Sequence, residues 1–296
     1  MPNSNPTIYN ILVTGSNGQV GSEIRELATK YPYRFYFTGK SELDITNLNE
    51  LRIFVIKNDV NTIINCAAYT AVDKAESEQE LADSINHLGV KNLSIISNEF
   101  SIRLIQISTD YVFDGKNYKA YTEEDTPNPL SVYGIANYNA EKEMFDYKLK
   151  NSIIIRTSWV HSLYGNNFVK TMLRLGKEKK ELNVVCDQIG TPTYAKDLAK
   201  TILDIIPMIK NDKVSIYHYS NEGVLSWYDF AKEIMEMAKL DCKIKPIETF
   251  QYPTPAKRPS YSLLNKTKIK NEFNIKIPYW KDGLEDCLIR LGEFNQ

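Results

Sequence analysis

Short apolar runs alternate with longer amphipathic segments along the first half of the chain. Runs of five to seven residues rich in β-branched side chains are typical of strands buried on both faces of a parallel sheet. We predict five such strands, at residues 8–14, 34–38, 62–67, 104–108 and 153–156. Between them, apolar residues recur at helical spacing over residues 20–30, at Leu48, Leu51 and Val55, and through Leu93 and Ile96. Because crossovers between parallel strands are right-handed, this order predicts an α/β fold with a doubly wound, Rossmann-like sheet.

The pattern becomes less regular after Arg156. It predicts a strand at 183–186, a helix at 197–209 and another at 228–239, whereas the proline-rich stretch 247–262, with Pro246 just before it, predicts loops. We therefore predict a dinucleotide-binding Rossmann domain over residues 1–160, completed by residues 184–212. Residues 161–296 would mainly form a smaller substrate-binding lobe at the carboxyl ends of the strands.

Composition narrows the class of protein. The 296 residues are 43% hydrophobic and 25% charged, with a net charge of −1, which is typical of globular proteins and argues against a nucleic-acid binder. No apolar run reaches the roughly 18 residues needed to span a bilayer, and the amino terminus does not resemble a secretory signal. Four widely spaced cysteines predict neither zinc nor disulfides, so we expect a cytoplasmic protein. His87, His161 and His218 have no partner at ligand spacing and are interpreted as ordinary histidines.

A glycine-rich turn follows the first predicted strand and opens the next helix. In ILVTGSNGQVG, Gly15 permits a tight turn, Gly18 lets a pyrophosphate approach the backbone, and Gly21 lets helix and strand pack closely. A diphosphate would then lie at the positive end of the helix. Because both the strand and the helix are present, this spacing favours a dinucleotide site over a plain turn.

The end of the second strand bears on the choice of dinucleotide. An acid that binds the ribose is expected there, but the strand ends in Thr38-Gly39-Lys40. Lys40 would suit a 2′-phosphate and favours NADPH, with NADH as the alternative. Asp44 is interpreted either as a helix cap beside Thr46 or as a contact near the adenine.

A candidate reaction centre lies where the fourth strand ends. Ser108, Thr109 and Asp110 emerge at the strand edge where open α/β sheets bind ligands. Tyr133 opens a helix, and its phenol is a candidate proton donor. A lysine one turn later would lower the tyrosine pKa, but that position holds Asn137.

A second tyrosine on the same helix is followed by a lysine four residues later. Tyr138 and Lys142 have the YxxxK spacing, but the five-residue shift from Tyr133 rotates them by about 140° around the helix. We therefore interpret them as a solvated surface pair and retain Tyr133, aided by the Thr109 hydroxyl, as the proton donor.

These motifs and four others resemble the dTDP-4-dehydrorhamnose reductase family, within the extended short-chain dehydrogenases/reductases. The blocks that carry the resemblance occur in the family's order over nearly the whole chain: GSNGQVG, LDIT, NCAAYTAVDKAE, STDYVFDG, YTEEDTPNPLSVYG, RTSWV, NNFVKTML and DQIGTPTYAKDLA. The resemblance implies NAD(P)H-dependent reduction of a dTDP-linked 4-keto sugar, with Tyr133 protonating O4 as hydride reaches C4.

The resemblance also assigns residues to the two ligands. The cofactor set it implies is Asn17, Gly18, Gln19 and Val20 on the phosphates, Asp44 and Ile45 near the adenosine, and Ala67, Ala68 and Tyr69 by the nicotinamide ribose. The substrate set it implies is Thr109, Asp110, Trp159, Asn167, Phe168 and Arg258, the last on the diphosphate. Without the family match, Trp159 would be interpreted as a core residue and Arg258 as a surface charge.

Two positions depart from the family pattern. Asn137 replaces the lysine that would hold the nicotinamide ribose and depress the tyrosine pKa, which predicts either a slow enzyme or one with an altered proton relay. Some members form a magnesium-bridged dimer through glutamates; Glu23 matches one of them, but Lys196 replaces another, so we expect no metal site. The sequence leaves open whether the protein is a monomer or a homodimer.

Two alternatives to a reductase remain at this stage. Asn137 favours a cofactor-binding regulatory subunit, such as the related β subunit of methionine adenosyltransferase, which needs no activated phenol. A dehydratase or epimerase would share the loop and the tyrosine, but dehydratases of this superfamily carry an acid pair after the threonine, where this chain has Asp110-Tyr111.

Overall fold

A computed structural model describes residues 9–294. Its strands are β1 Asn10–Thr14, β2 Arg34–Thr38, β3 Thr62–Asn65, β4 Arg103–Thr109, β5 Ile153–Thr157, β6 Val160–His161, β7 Glu181–Val185, β8 Ile189–Gly190, β9 Thr193–Tyr194, β10 Ser215–His218, β11 Leu225–Ser226 and β12 Lys243–Ile247. Its α-helices are α1 Gln19–Leu27, α2 Leu48–Lys57, α3 Val72–Ala75, α4 Gln79–Asp83, α5 Gly89–Glu99, α6 Val132–Asp146, α7 Phe168–Glu178, α8 Ala195–Ile205, α9 Trp227–Met237, α10 Thr267–Phe273 and α11 Trp280–Leu291. A π-helical turn at Ser84–Leu88 joins α4 to α5.

The central sheet is parallel and is covered on both faces. Its strand order is β10-β5-β4-β3-β1-β2, so the direction of winding reverses between β1 and β3. Alternate residues enter opposite layers: Val13 and Ile64 pack against α1 and α8, whereas Leu12 and Ile63 pack against α2 and α5. This alternation follows from the two-residue period of a strand, and it confirms the predicted doubly wound α/β fold.

The five predicted strands are confirmed with small shifts at their ends. Residue 8 lies outside the described residues, and the third strand ends at Asn65 rather than at residue 67. The sixth strand, β10, was not predicted, because its core Ser-Ile-Tyr-His is short and lacks a β-branched run. Pro246 lies within β12, which pairs with β7 along one edge only, a position that tolerates a residue with no N–H to donate.

A second apolar core lies outside the central sheet. It is formed by α7, α9 and α11 around the β7–β12 pair, with Phe230 and Leu284 fully buried. Side chains from residues 195–209, 217–219 and 269–277 instead join the core of the central sheet. The division of the chain at residue 160 remains a prediction, but this packing shows that the carboxyl-terminal half contributes to both cores.

A buried ion pair connects the sheet to α6. Glu141 accepts hydrogen bonds from Arg156 Nε at 2.9 Å and Nη2 at 2.6 Å, and the two side chains are 2% and 1% exposed. Ser108 Oγ on β4 donates to the same carboxylate at 2.6 Å. The pair therefore links β4, β5 and α6 behind the sheet edge where β4 ends. Among residues 9–294, no helix has both the length and the apolar character needed to cross a bilayer.

We predict that Arg156→Met destabilises the protein by about 3–5 kcal/mol, because it leaves the Glu141 carboxylate buried without a counter-charge. Urea unfolding measures the change. The control is Arg174→Met, which breaks an exposed pair with Glu178 and should change stability by at most ~1 kcal/mol. Equal effects at the two positions would contradict a structural role for the buried pair.

Candidate active site

A large cleft lies at the carboxyl edge of the sheet, between the two cores. Its volume is about 1090 Å³, which suits large ligands better than a single small molecule. Thirteen of the residues singled out from the sequence line it: Gly18, Gln19, Val20, Ala67, Ala68, Ser108, Thr109, Asp110, Tyr133, Asn137, Trp159, Phe168 and Arg258. The cleft thus brings the glycine-rich turn and the candidate reaction centre into one space.

The geometry of the glycine-rich turn suits a pyrophosphate. Gly15 has φ of +60°, and a Cβ there would lie 2.4 Å from the backbone nitrogen of Ala67, whereas a Cβ at Gly21 would lie 2.6 Å from Ser16 Cα. Gly18 is exposed and would meet only the Gly15 oxygen, at 3.2 Å. No side chain caps α1, which begins directly after Gly18. A closely packed turn with an open middle glycine and uncapped amides can accept an anionic group at the helix terminus.

The end of β2 carries a carboxylate that the sequence reasoning missed. Gly39 N donates to Glu42 Oε2 at 2.7 Å, and this bond holds the Glu42 pKa below its usual value. Lys40 is exposed beside it. The chain folds back after Gly39, so an acid four residues beyond Thr38 returns to the strand end, where ribose-binding acids lie in this type of sheet.

Asn17, Lys40, Asp44, Ile45 and Tyr69 were predicted near the cofactor but are not among the residues that line the cleft. Asp44 Oδ1 accepts from the Thr46 amide at 2.9 Å and from its hydroxyl, and the cap of α2 is Asn47; the interpretation of Asp44 as that helix's cap was wrong. Ile45 is buried against Gly89. Tyr69 turns its hydroxyl to Glu78. Their roles toward a cofactor remain predictions.

At the reaction centre, Tyr133 and Thr109 lie side by side. Both side chains line the cleft, and Tyr111 packs edge-on against the Tyr133 ring. Burial raises the Tyr133 pKa to about 12; the Thr109 hydrogen bond lowers it, and the nearby Asp110 raises it. The phenol is therefore protonated at neutral pH and can donate a proton to a bound oxygen.

Asn137 lines the cleft but contributes no charge to it. Its Nδ2 donates to the Tyr133 carbonyl oxygen at 2.8 Å, a bond within its own helix. Tyr138 and Lys142 are not among the cleft residues. Lys142 is exposed with its ammonium 4.9 Å from the Tyr138 ring centre, while Tyr138 is half-buried against the Phe113 cluster, so only the lysine of that predicted surface pair is well solvated.

Aromatic residues from two distant segments line part of the cleft. The ring centres of Trp159 and Trp227 are 3.7 Å apart, with an angle of 15° between the ring planes. Trp159 has φ of +49°, a left-handed conformation that is costly for a bulky residue and is found mainly where structure around a site enforces it. Sequence reasoning found Trp159 through its motif but missed Trp227, which lies 68 positions later.

Two predicted substrate residues are engaged with protein groups. Arg258 Nη1 and Nη2 donate to Asp73 at 2.9 and 2.7 Å, so its charge is already paired. Asn167 caps α7, and its Nδ2 donates to Gln19 Oε1 at 3.0 Å. Gln19 Nε2 donates in turn to the Val160 carbonyl at 3.3 Å. These contacts tie the glycine-rich turn and α3 to the other side of the cleft.

Two of the histidines are buried, and the third, His87, contacts two carboxylates. Burial lowers the pKa of His218 to about 3, with the nearby Arg156 charge as a second cause, and burial lowers the pKa of His161 to about 4. His87 contacts Asp83, one helical turn earlier, and Glu143. When His87 is protonated, these contacts are ion pairs with carboxylates on neighbouring helical segments.

Comparison with known proteins identifies the family. The RmlD substrate binding domain family matches residues 9–292. A dTDP-4-dehydrorhamnose reductase from Aggregatibacter actinomycetemcomitans is 41% identical over 286 residues, which cover 93% of this chain and 97% of the relative. The chain belongs to the dTDP-4-dehydrorhamnose reductase family.

Solved structures of the family match the fold closely. A reductase from Clostridium acetobutylicum superposes with a TM-score of 0.91 at 40% identity, covering 96% of this chain and 99% of that one. A Bacillus anthracis reductase in complex with NADP has a TM-score of 0.90 at 39% identity, covering 96% and 100%. The family resemblance drawn from the sequence motifs is therefore confirmed.

Glu23, which the resemblance suggested could match a metal-bridging glutamate, lies in a network of protein hydrogen bonds. Glu23 is fully buried and accepts from Ser162 Oγ at 2.6 Å and from Arg290 Nη1 at 3.0 Å. Burial raises the Glu23 pKa, and the Ser162 and Arg290 contacts oppose that rise. Lys196 is bound to Asp286 at 2.8 Å. Among the described residues, no group of three or more acids, histidines or cysteines is arranged to hold a metal.

We predict that Gly15→Ala weakens dinucleotide binding at least tenfold, because the added Cβ collides with the Ala67 backbone and displaces the turn. Calorimetric titration with NADPH measures the dissociation constant. Gly292→Ala is the matched control: its φ is +70° but nothing lies within 4 Å, so it carries only the backbone strain of about 1 kcal/mol. If Gly15→Ala bound NADPH within twofold of the unmodified protein, the turn would not be the binding element.

Proposed function

We propose that this protein reduces the 4-keto group of dTDP-4-dehydro-L-rhamnose to give dTDP-L-rhamnose, with NADPH as the cofactor and NADH as an alternative. The observation that carries the proposal is the Tyr133–Thr109 pair, which faces the same cleft as the glycine-rich turn in a chain of this family. The curated relative at 41% identity is named for this reaction, and a family structure holds NADP.

The residues of the cleft divide into two sets under this proposal. Gly18, Gln19 and Val20 would hold the pyrophosphate of the cofactor, and Ala67 and Ala68 its nicotinamide side. The reduced nicotinamide supplies the hydride. Trp159 and Trp227 would present an aromatic surface to the sugar nucleotide, where stacking is favourable.

Tyr133 would act as the general acid. The developing alkoxide needs one proton and one hydrogen-bond donor, which the phenol and the Thr109 hydroxyl can provide. The raised Tyr133 pKa keeps the phenol protonated across the neutral range, which suits reduction more than the reverse oxidation. The cost is a smaller driving force for proton transfer, because the acid is weak.

The Glu42 carboxylate bears on the choice of cofactor. An acid at the end of β2 suits the two hydroxyls of an NADH ribose, while Lys40 beside it suits a 2′-phosphate. The two side chains together favour a protein that accepts both dinucleotides.

The regulatory-subunit alternative is less well supported. Asn137 is compatible with it, but the relatives that cover nearly the whole chain are named as reductases, and the cleft retains both the tyrosine and the threonine. The dehydratase alternative likewise lacks the second acid, since Tyr111 follows Asp110.

The test is NADPH oxidation by the purified protein with dTDP-4-dehydro-L-rhamnose, with dTDP-L-rhamnose identified by mass spectrometry. Tyr133→Phe should lower kcat by about 10²–10⁴-fold, because it removes the general acid. The control Tyr138→Phe, on the same helix but outside the cleft, should retain full activity. If the unmodified protein bound NADPH tightly but did not reduce the sugar, the proposed function would be wrong.

Asn137→Lys should raise kcat about tenfold, because an ammonium near the phenol lowers its pKa and strengthens the acid. The alkaline limb of the pH profile should also move to lower pH. Asn139→Lys adds the same charge to α6 at a position that does not line the cleft, and should change neither value. An unchanged rate in Asn137→Lys would mean that Tyr133 is not the proton donor.

A further inference from the structure

The Asp110 carboxyl is buried beside the reaction centre with an unused oxygen. The residue is 2% exposed, and among residues 9–294 its Oδ2 has no hydrogen-bond partner. Its Oδ1 lies 3.2 Å from the Thr109 hydroxyl. A buried carboxylate with an unsatisfied oxygen is costly, whereas a protonated carboxyl needs fewer partners and has a proton to give.

Thr109 connects this carboxyl to the phenol. Its Oγ1 accepts a hydrogen bond from the Tyr111 amide at 3.2 Å and donates one to Asp110 Oδ1 at 3.2 Å. Thr109 also lines the cleft beside Tyr133, and its hydroxyl lowers the pKa of that phenol. A hydroxyl can accept from one neighbour while it donates to another. The three side chains therefore form a continuous path, Asp110–Thr109–Tyr133, that ends at the cleft.

No lysine or arginine among the described residues takes the place of the missing cation. Asn137 is neutral and bonded to its own helix, Arg258 is paired with Asp73, and Lys142 lies over Tyr138. The charged group that acts on Tyr133 is Asp110, an acid. A phenol that has given up its proton must regain one, and in this chain the connected source is a carboxyl.

We propose that Asp110 is the proton reservoir for Tyr133, with the Thr109 hydroxyl as the relay between them. This inference rests on the proposed reductase function and deepens it. Asp110 acts through Thr109 and is not itself the group that protonates the sugar.

The proton balance is complete within one turnover. The carbonyl carbon of the sugar gains hydride from the reduced nicotinamide, which is thereby oxidised, and the carbonyl oxygen gains the Tyr133 proton. The phenolate takes the Thr109 hydroxyl proton, and Thr109 takes the proton of the Asp110 carboxyl. Asp110 is left as a carboxylate, which solvent reprotonates after the product leaves.

The surroundings of Asp110 make the reservoir available near neutral pH. Burial raises its pKa to about 6, against the lowering effect of Ser262 and Thr109. The titratable groups that face it are Tyr111 on its own turn and Tyr133 on α6; the Arg258 charge acts on Tyr111. The protonated form is the active one, so kcat should be highest below this pKa and fall as the pH rises through it. Bound ligands that exclude water would move the limb to higher pH.

The test combines kinetics with a measurement on the unliganded protein. Asp110→Asn should lower kcat at least tenfold at pH 6 with KM within twofold, and should remove the falling limb of the pH profile. The difference infrared spectrum, unmodified protein minus Asp110→Asn, should show a protonated carboxyl band that disappears as the pH rises through about 6. Thr109→Val should lower kcat while it leaves that band in place, and Thr109→Ser should restore kcat.

Asp114→Asn is the control. Asp114 lies four residues further on and binds the Lys116 amide and Asn128, so this variant should keep both the pH limb and the band. A rise in KM with kcat retained in Asp110→Asn would overturn the relay and make Asp110 only a sugar contact. A band that titrates near the ordinary pKa of aspartate would also overturn it, without touching the reductase proposal, which fails only if the unmodified protein does not turn over.

Discussion

The Glu141–Arg156 ion pair is the constraint on which the arrangement of the site depends. It joins the middle of α6 to β5 and, through Ser108, to the carboxyl end of β4. Tyr133 stands at the start of α6, and Thr109 is the residue after Ser108. Because the pair is almost fully buried, the helix cannot shift relative to the strand without exposing or separating two charges. The phenol and the hydroxyl are thus held together by an interaction that neither of them makes.

The same region shows how a site can keep a proton donor when a neutral Asn137 stands where a cation was expected. Burial and the nearby Asp110 both raise the pKa of Tyr133, and a lysine would counteract that effect. With Asn137 in that place, the site keeps the phenol in its acid form and has a carboxyl as its charged neighbour. The geometry thus remains that of a proton donor, while the electrostatics favour donation over removal of a proton.

The two sides of the cleft are connected by a small number of polar contacts across it. Gln19 bonds both Val160 and Asn167, and Asp73 holds Arg258 with two hydrogen bonds. Each contact involves a residue that the family resemblance assigned to a ligand. In the structure described here these side chains satisfy one another, so a bound ligand would have to share them or replace their present partners.

The sequence by itself determined the sheet, the glycine-rich turn, the family and the position of Tyr133. Strand burial, turn geometry and helical periodicity are local properties, and they can be interpreted from runs of a few residues. The sixth strand, β10, was not predicted from the sequence, because Ser215–His218 has no strong pattern of its own and is held mainly by pairing with β5. The position of Glu42 at the end of β2 was not predicted, because only the fold-back of the chain after Gly39 brings it there.

Only the tertiary structure decided which side chains meet in the cleft. Trp159 and Trp227, Asp73 and Arg258, and Gln19 and Asn167 are distant in sequence, the last two pairs by 185 and 148 positions. No periodicity reports such contacts, because they depend on how two cores pack around one sheet edge. The burial that sets the acidity of Asp110 and Tyr133 has the same origin: it is a property of the assembled cleft and not of any segment of the chain.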